Sequence, residues 1–139
     1  MIRRNLLFTL FAFHVFLTFS QQKASVVVRF RSEFIYLPVT ENKREVSYQL
    51  KDILNSDGMK LLEEMAPDAL VSSKTKVVKL FPNLSWKDSL SVTRFGDVIS
   101  TPPFWATFLL ECMAEDVSKT LSYLNSQQQL VLYAEIPVY

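Results

Sequence analysis

Phe104–Ile136, FWATFLLECMAEDVSKTLSYLNSQQQLVLYAEI, reads as strand, helix and strand, and the rest of the chain is organised around it. Apolar residues run through Phe104–Cys112, which suits a strand buried on both sides. Phe104, Ala106, Phe108 and Leu110 share one face; Trp105, Thr107, Leu109 and Glu111 share the other. Met113, Val117, Leu121 and Leu124 then recur at four, four and three residues, one stripe of an amphipathic helix over Ala114–Asn125. Glu115 and Asp116 fall in its first turn, where carboxylates favour the positive end of the helix dipole. Leu130–Ile136 closes as a strand, with Leu130, Leu132, Ala134 and Ile136 inward and Val131, Tyr133 and Glu135 opposite.

Upstream the periods are shorter. Ala24–Arg31 is rich in β-branched residues and reads as a strand, with Ala24, Val26, Val28 and Phe30 on one face. Phe34–Val39 prolongs it past a bend until Pro38 ends pairing. Val46–Leu54 has helical spacing. Asn55–Gly58 is a turn and helix-stop cluster, and Met59–Met65 gives a further helical turn or two before Pro67. Lys76–Phe81 is a strand. Asn83–Pro103 is a polar loop with a short strand near Leu90–Phe95. The order is β-α-β-β-α-β, which predicts an α+β, ferredoxin-like sandwich: an antiparallel sheet with two helices on one face. Its other face would carry Val27, Trp105, Leu109, Val131 and Tyr133. That face is either a partner surface or is covered by the long Ser32–Ser73 or Asn83–Pro103 segment.

The N-terminus has its own reading. Arg3 and Arg4 precede an apolar run, Leu6–Phe19, too short for the roughly 20 residues of a membrane span. It fits a secretory signal over residues 1–20, cleaved between Ser20 and Gln21. A single domain over residues 21–139, secreted or periplasmic and free of the membrane, is expected. Cys112 is the one cysteine, so no internal disulfide forms, which leans towards a bacterial exported protein.

Charge and chemistry narrow the function. The chain holds 15 basic and 14 acidic residues. Without Arg3 and Arg4 the mature part is near neutral, which argues against nucleic-acid binding. His14 is the only histidine and lies in the leader. The mature domain therefore has no Ser-His-Asp or Cys-His arrangement and no histidine-bearing zinc site. With Gly58 and Gly96 as the only glycines, there is no phosphate-cradling loop. Glu63-Glu64 and Glu115-Asp116 are adjacent acids in helix-like sequence, where a solvated face explains them. No enzyme and no cofactor is expected.

Phe104–Tyr139 resembles the end of a subtilisin-type propeptide. Val131, Tyr133, Ala134 and Glu135 fit that family's Val-x-Tyr-Ala-Glu-Pro-like signature, with Ile136 inserted before Pro137. Ser25–Arg31 is similar to the family's opening strand, and Thr93–Gly96 to a segment of larger bacterial members. The resemblance implies a folding assistant and inhibitor of a subtilisin-like serine protease, the expected partner. It also implies that Glu111, Glu115, Asp116 and Glu135 face the N-termini of two enzyme helices. Ile136, Pro137, Val138 and Tyr139 would lie in the substrate cleft as an added strand. The family continues into a catalytic domain, and this sequence stops at Tyr139. Two other readings are open: a homodimer or adaptor joined through the apolar sheet face, and an apolar-ligand cleft lined by Phe81, Phe95, Trp105 and Phe108.

Overall fold

The computed structural model describes residues 22–63 and 75–138; the expected leader and Glu64 lie outside them. The architecture is α+β, with an antiparallel sheet and four helices among the described residues. Strand β1 (Lys23–Phe30) sits inside the sheet because its alternation gives both faces something to do. Val26, Val28 and Phe30 are fully buried on one side, each worth about 1.5–3 kcal/mol of transfer free energy. Strand β2 is Lys76–Lys79, β3 Leu90–Val92, β4 Val98–Ser100, β5 Thr107–Met113 and β6 Val131–Glu135. The main sheet runs β2-β5-β1-β6, and β3-β4 forms a separate two-stranded arm. β5 pairs with β1 from Lys23↔Met113 to Arg29↔Thr107, and β2 pairs with β5 on its other edge.

The register assembles the core. Val26 faces Leu110, Val28 faces Phe108 and Ala134, and Val77 faces Leu110, all on one side of the sheet. Leu50, Ile53, Leu54, Leu62 and Leu124 pack against that side in a single cluster. Helix α1 is Leu37–Thr40; the five come from α2 (Leu50–Ile53), α3 (Ser56–Glu63) and α4 (Val117–Ser126), with Leu54 between α2 and α3. The Tyr123 hydroxyl donates to the Leu62 carbonyl at 2.8 Å and ties α4 to α3.

Several local readings change. Phe34–Val39 does not prolong β1. Ser32–Phe34 is a 3₁₀ turn, and Pro38 sits in the first turn of α1, where its missing N–H costs nothing. Val46–Leu54 shrinks to the single turn α2, because Tyr48 is drawn into a two-way backbone bridge with Val77 at 2.8 Å. Asn55 starts a helix rather than stopping one. Its Oδ1 accepts from the Gly58 N–H at 2.9 Å, the N-cap bond that asparagine makes well. At Gly58 an added Cβ would meet Phe34 at 3.1 Å, so the missing side chain lets α3 close on that turn. Phe104–Ala106 is a 3₁₀ turn, and the strand begins only at Thr107. In the segment Asn83–Pro103 the short strand expected near Leu90–Phe95 is β3, and a second strand, β4, pairs with it across the turn Thr93–Gly96, with Gly96 at φ +88°.

Candidate protein-binding surface

The sheet face turned away from the helices is built by the alternate residues of the same strands. Val27, Val78 and Leu109 meet at its centre, since Leu109 pairs with both Val27 and Val78. Around them lie Ser25, Lys76, Glu111 and Glu135, which the register places opposite or beside the apolar three. Lys23 and Glu111 form an ion pair of 3.1 Å, exposed enough to contribute little to stability.

At the other end of this face stands Arg29, whose guanidinium carbon lies 4.7 Å from the Phe104 ring centre and 4.8 Å from that of Tyr133. Its Nε donates to the Thr107 hydroxyl at 2.8 Å. Phe104 is itself held edge-on by Phe81, with ring centres 5.9 Å apart. Thr107, though on this face, is completely buried beneath the group. The segment around residue 104 thus covers one end of the face; in the middle Leu109 and Val78 are partly exposed, and Val27 between strands β5 and β6 is 6% exposed.

The expected face residues divide. Val27, Leu109 and Tyr133 lie on the open face through the pairings Val27↔Leu109 and Arg29↔Tyr133. Trp105 does not: the 3₁₀ turn swings it into the core cluster, with its indole N–H donating to the Ser89 hydroxyl. Val131 does not either. A register shift at Arg29/Phe30 sets it opposite Phe30, so it joins the core and leaves Leu132 exposed. The four aromatics expected to line a ligand cleft do not gather: Phe108 packs on Phe30 inside, Phe95 is 77% exposed at the arm's tip, and Phe81 turns to Phe104.

The expected protease contacts share one end of the sheet. β5 and β6 both run towards the Lys23 end, so Glu111, the turn holding Glu115 and Asp116, and the residues after Glu135 all emerge there. Glu115 and Glu135 are exposed, and Asp116 is half-buried. Ile136 and Val138 lie outside any strand, with Val138 98% exposed and Pro137 half-buried between them. Tyr139 lies outside the described residues.

Three features escape a reading by period. Lys79 is 5% exposed, and its Nζ donates to the carbonyls of Thr40, Asn42, Pro82 and Leu84 at 2.7, 3.1, 3.1 and 3.0 Å. Burial pushes its pKa below the usual lysine value. The clue was a lysine on the same strand face as Val77. Next to this clamp, Ser85 and Asp88 form a capping box, and the Ser85 N–H holds the Asp88 carboxyl below the usual carboxylate range. Lys87 and then the Trp86 indole do the same for Glu41. Second is the arm itself, which exposes Leu90, Val92 and Val98 on one side. Third is Arg29, whose place opposite Tyr133 depends on the register of β6.

Cys112 is buried, and burial raises its thiol pKa, with Asp116 adding to the effect. Among the described residues no cluster of three metal-ligating side chains occurs, and no helix is long and apolar enough to cross a membrane. Comparison with family models, curated proteins and solved structures finds no match.

Proposed function

We propose that this chain is an exported, propeptide-like domain that binds a subtilisin-like serine protease, inhibiting it or assisting its folding, and does no catalysis of its own. The strand order β2-β5-β1-β6, with α3 and α4 contributing to the core on one side, supports the reading of a ferredoxin-like sandwich. One observation carries the functional reading. A sheet face whose centre is apolar, with Leu109 and Val78 partly exposed, adjoins an exposed tail outside any strand, at the end of the sheet that also carries Glu111, Glu115 and Asp116. Such a face suits packing on another protein, and such a tail suits strand addition in a cleft.

The test is inhibition of a panel of purified subtilisin-type proteases by the protein and by a variant lacking residues 137–139. The reading expects tight inhibition that drops sharply without the tail. Absence of inhibition by folded, undigested protein contradicts it. A second reading, self-association, draws on the exposed apolar side of the β3-β4 arm, Leu90, Val92 and Val98. It expects a symmetric dimer in sedimentation, indifferent to removal of residues 137–139.

A further inference from the structure

The open face carries one cation that the fold has immobilised and left without a carboxylate. Arg29 lies between the rings of Phe104 and Tyr133, and its Nε is engaged by Thr107. Among the described residues its nitrogens have no ion-pair partner, whereas Lys23 and Lys87 each have one. A free arginine gives up much side-chain entropy to bind. This one has already given it up to the rings and the threonine, and its Nη groups keep their donors. A bidentate, charge-assisted pairing with a carboxylate is the strongest use of such a fork.

We infer that Arg29 receives an aspartate or glutamate side chain from the protein that docks on the open face. The position is suited to it. Arg29 and Glu111 lie at opposite ends of that face, because Arg29 pairs with Thr107 and Ser25 with Glu111. Along β1 that is roughly 13 Å at about 3.3 Å per residue. Val27 and Leu109 fill the interval. A partner therefore meets a cation without a carboxylate, an apolar strip and a mixed-charge end where Glu111 is paired to Lys23, in a fixed order that sets orientation as well as affinity. The occupant is a protein carboxylate flanked by apolar side chains. This deepens the docking reading above and rests on it for the source of the carboxylate.

The test uses arginine side-chain NMR of the purified protein, titrated with N-acetyl-aspartate N-methylamide at constant ionic strength. The asparagine analogue is the control. The Arg29 Nε–H signal should shift saturably with the aspartate compound alone, while Arg44 and Arg94, both exposed, follow bulk salt. An Arg29 response no greater than theirs overturns the inference. A second measurement uses any protease that the panel finds. Arg29→Gln should weaken binding about 30-fold, with Arg29→Lys recovering little of it, since the planar fork is lost. Unchanged affinity in Arg29→Gln overturns the inference and leaves the protease reading standing. Selective capture of the aspartate probe with no protease bound supports the Arg29 site and tells against the protease reading alone.

Discussion

Lys79 does at one residue what a bound cation does elsewhere: it gathers four carbonyls from two segments that share no strand. Replacing it by methionine keeps the stem and strands the carbonyls, so Lys79→Met should lower stability by about 3 kcal/mol. Urea unfolding of both proteins checks this, and a midpoint unchanged by the substitution contradicts it. Thr120 presents the reverse case. It is buried in α4, and its hydroxyl has no hydrogen-bond partner among the described residues. Thr120→Val removes that hydroxyl at nearly constant shape and should leave stability unchanged or raise it by about 1 kcal/mol. A loss of that size in the same assay would mean the hydroxyl is satisfied after all.

At the scale of elements, the arm is the part least supported by its own packing. A two-stranded hairpin is marginal alone in water, so its root must hold it. That root is the capping box of Ser85 and Asp88, together with Thr101, whose hydroxyl donates to the Asp88 and Ser89 carbonyls at 3.2 Å. The Asp88 carboxyl titrates lower in the folded protein than when unfolded. Its contribution is therefore complete above the ordinary aspartate pKa and is lost as pH falls through the depressed folded value. Hydrogen exchange of β3 and β4 should quicken across that acid window, and Asp88→Asn should remove the pH dependence. Equal acid sensitivity in the variant would place the anchor elsewhere. Gly96 at φ +88° closes the arm's tip, so Gly96→Ala should raise exchange there while sparing the main sheet.

The same scale shows what could be read from the sequence. β1, β5, β6 and α4 were legible because their apolar periods are long and regular; β1 and β6 end within one residue of the reading, while β5 and α4 start three residues later, at Thr107 and Val117. Asn55–Gly58 was not, because asparagine, aspartate and glycine serve helix starts and stops alike. Trp105 and Val131 were misplaced for a shared reason. Alternation assigns faces only while pairing stays regular, and a 3₁₀ turn and a register shift break it in the two strands concerned. The reach of Lys79 to Thr40 and Asn42 and of Arg29 to Thr107 spans 37 to 78 positions, which no local pattern carries.

For the whole molecule, the two sides of the sheet divide the work. One side is sealed by Phe30, Phe108, Leu110, Leu124 and their neighbours, and it accounts for folding. The other keeps Val27 and Leu109 at its centre, a cation fixed at one end, and a mixed-charge edge with Glu111 and Lys23 beside an exposed tail at the other. Leu109 on that second side is partly exposed and lies outside the core cluster, so it can be altered while the fold is kept. The direct measurement is inhibition of the protease panel by the protein and by Leu109→Lys, with folding of both verified by circular dichroism. The account predicts that the wild-type chain inhibits at least one enzyme and that the lysine on the open face weakens this by about 100-fold. Equal inhibition by both proteins would contradict docking through this face.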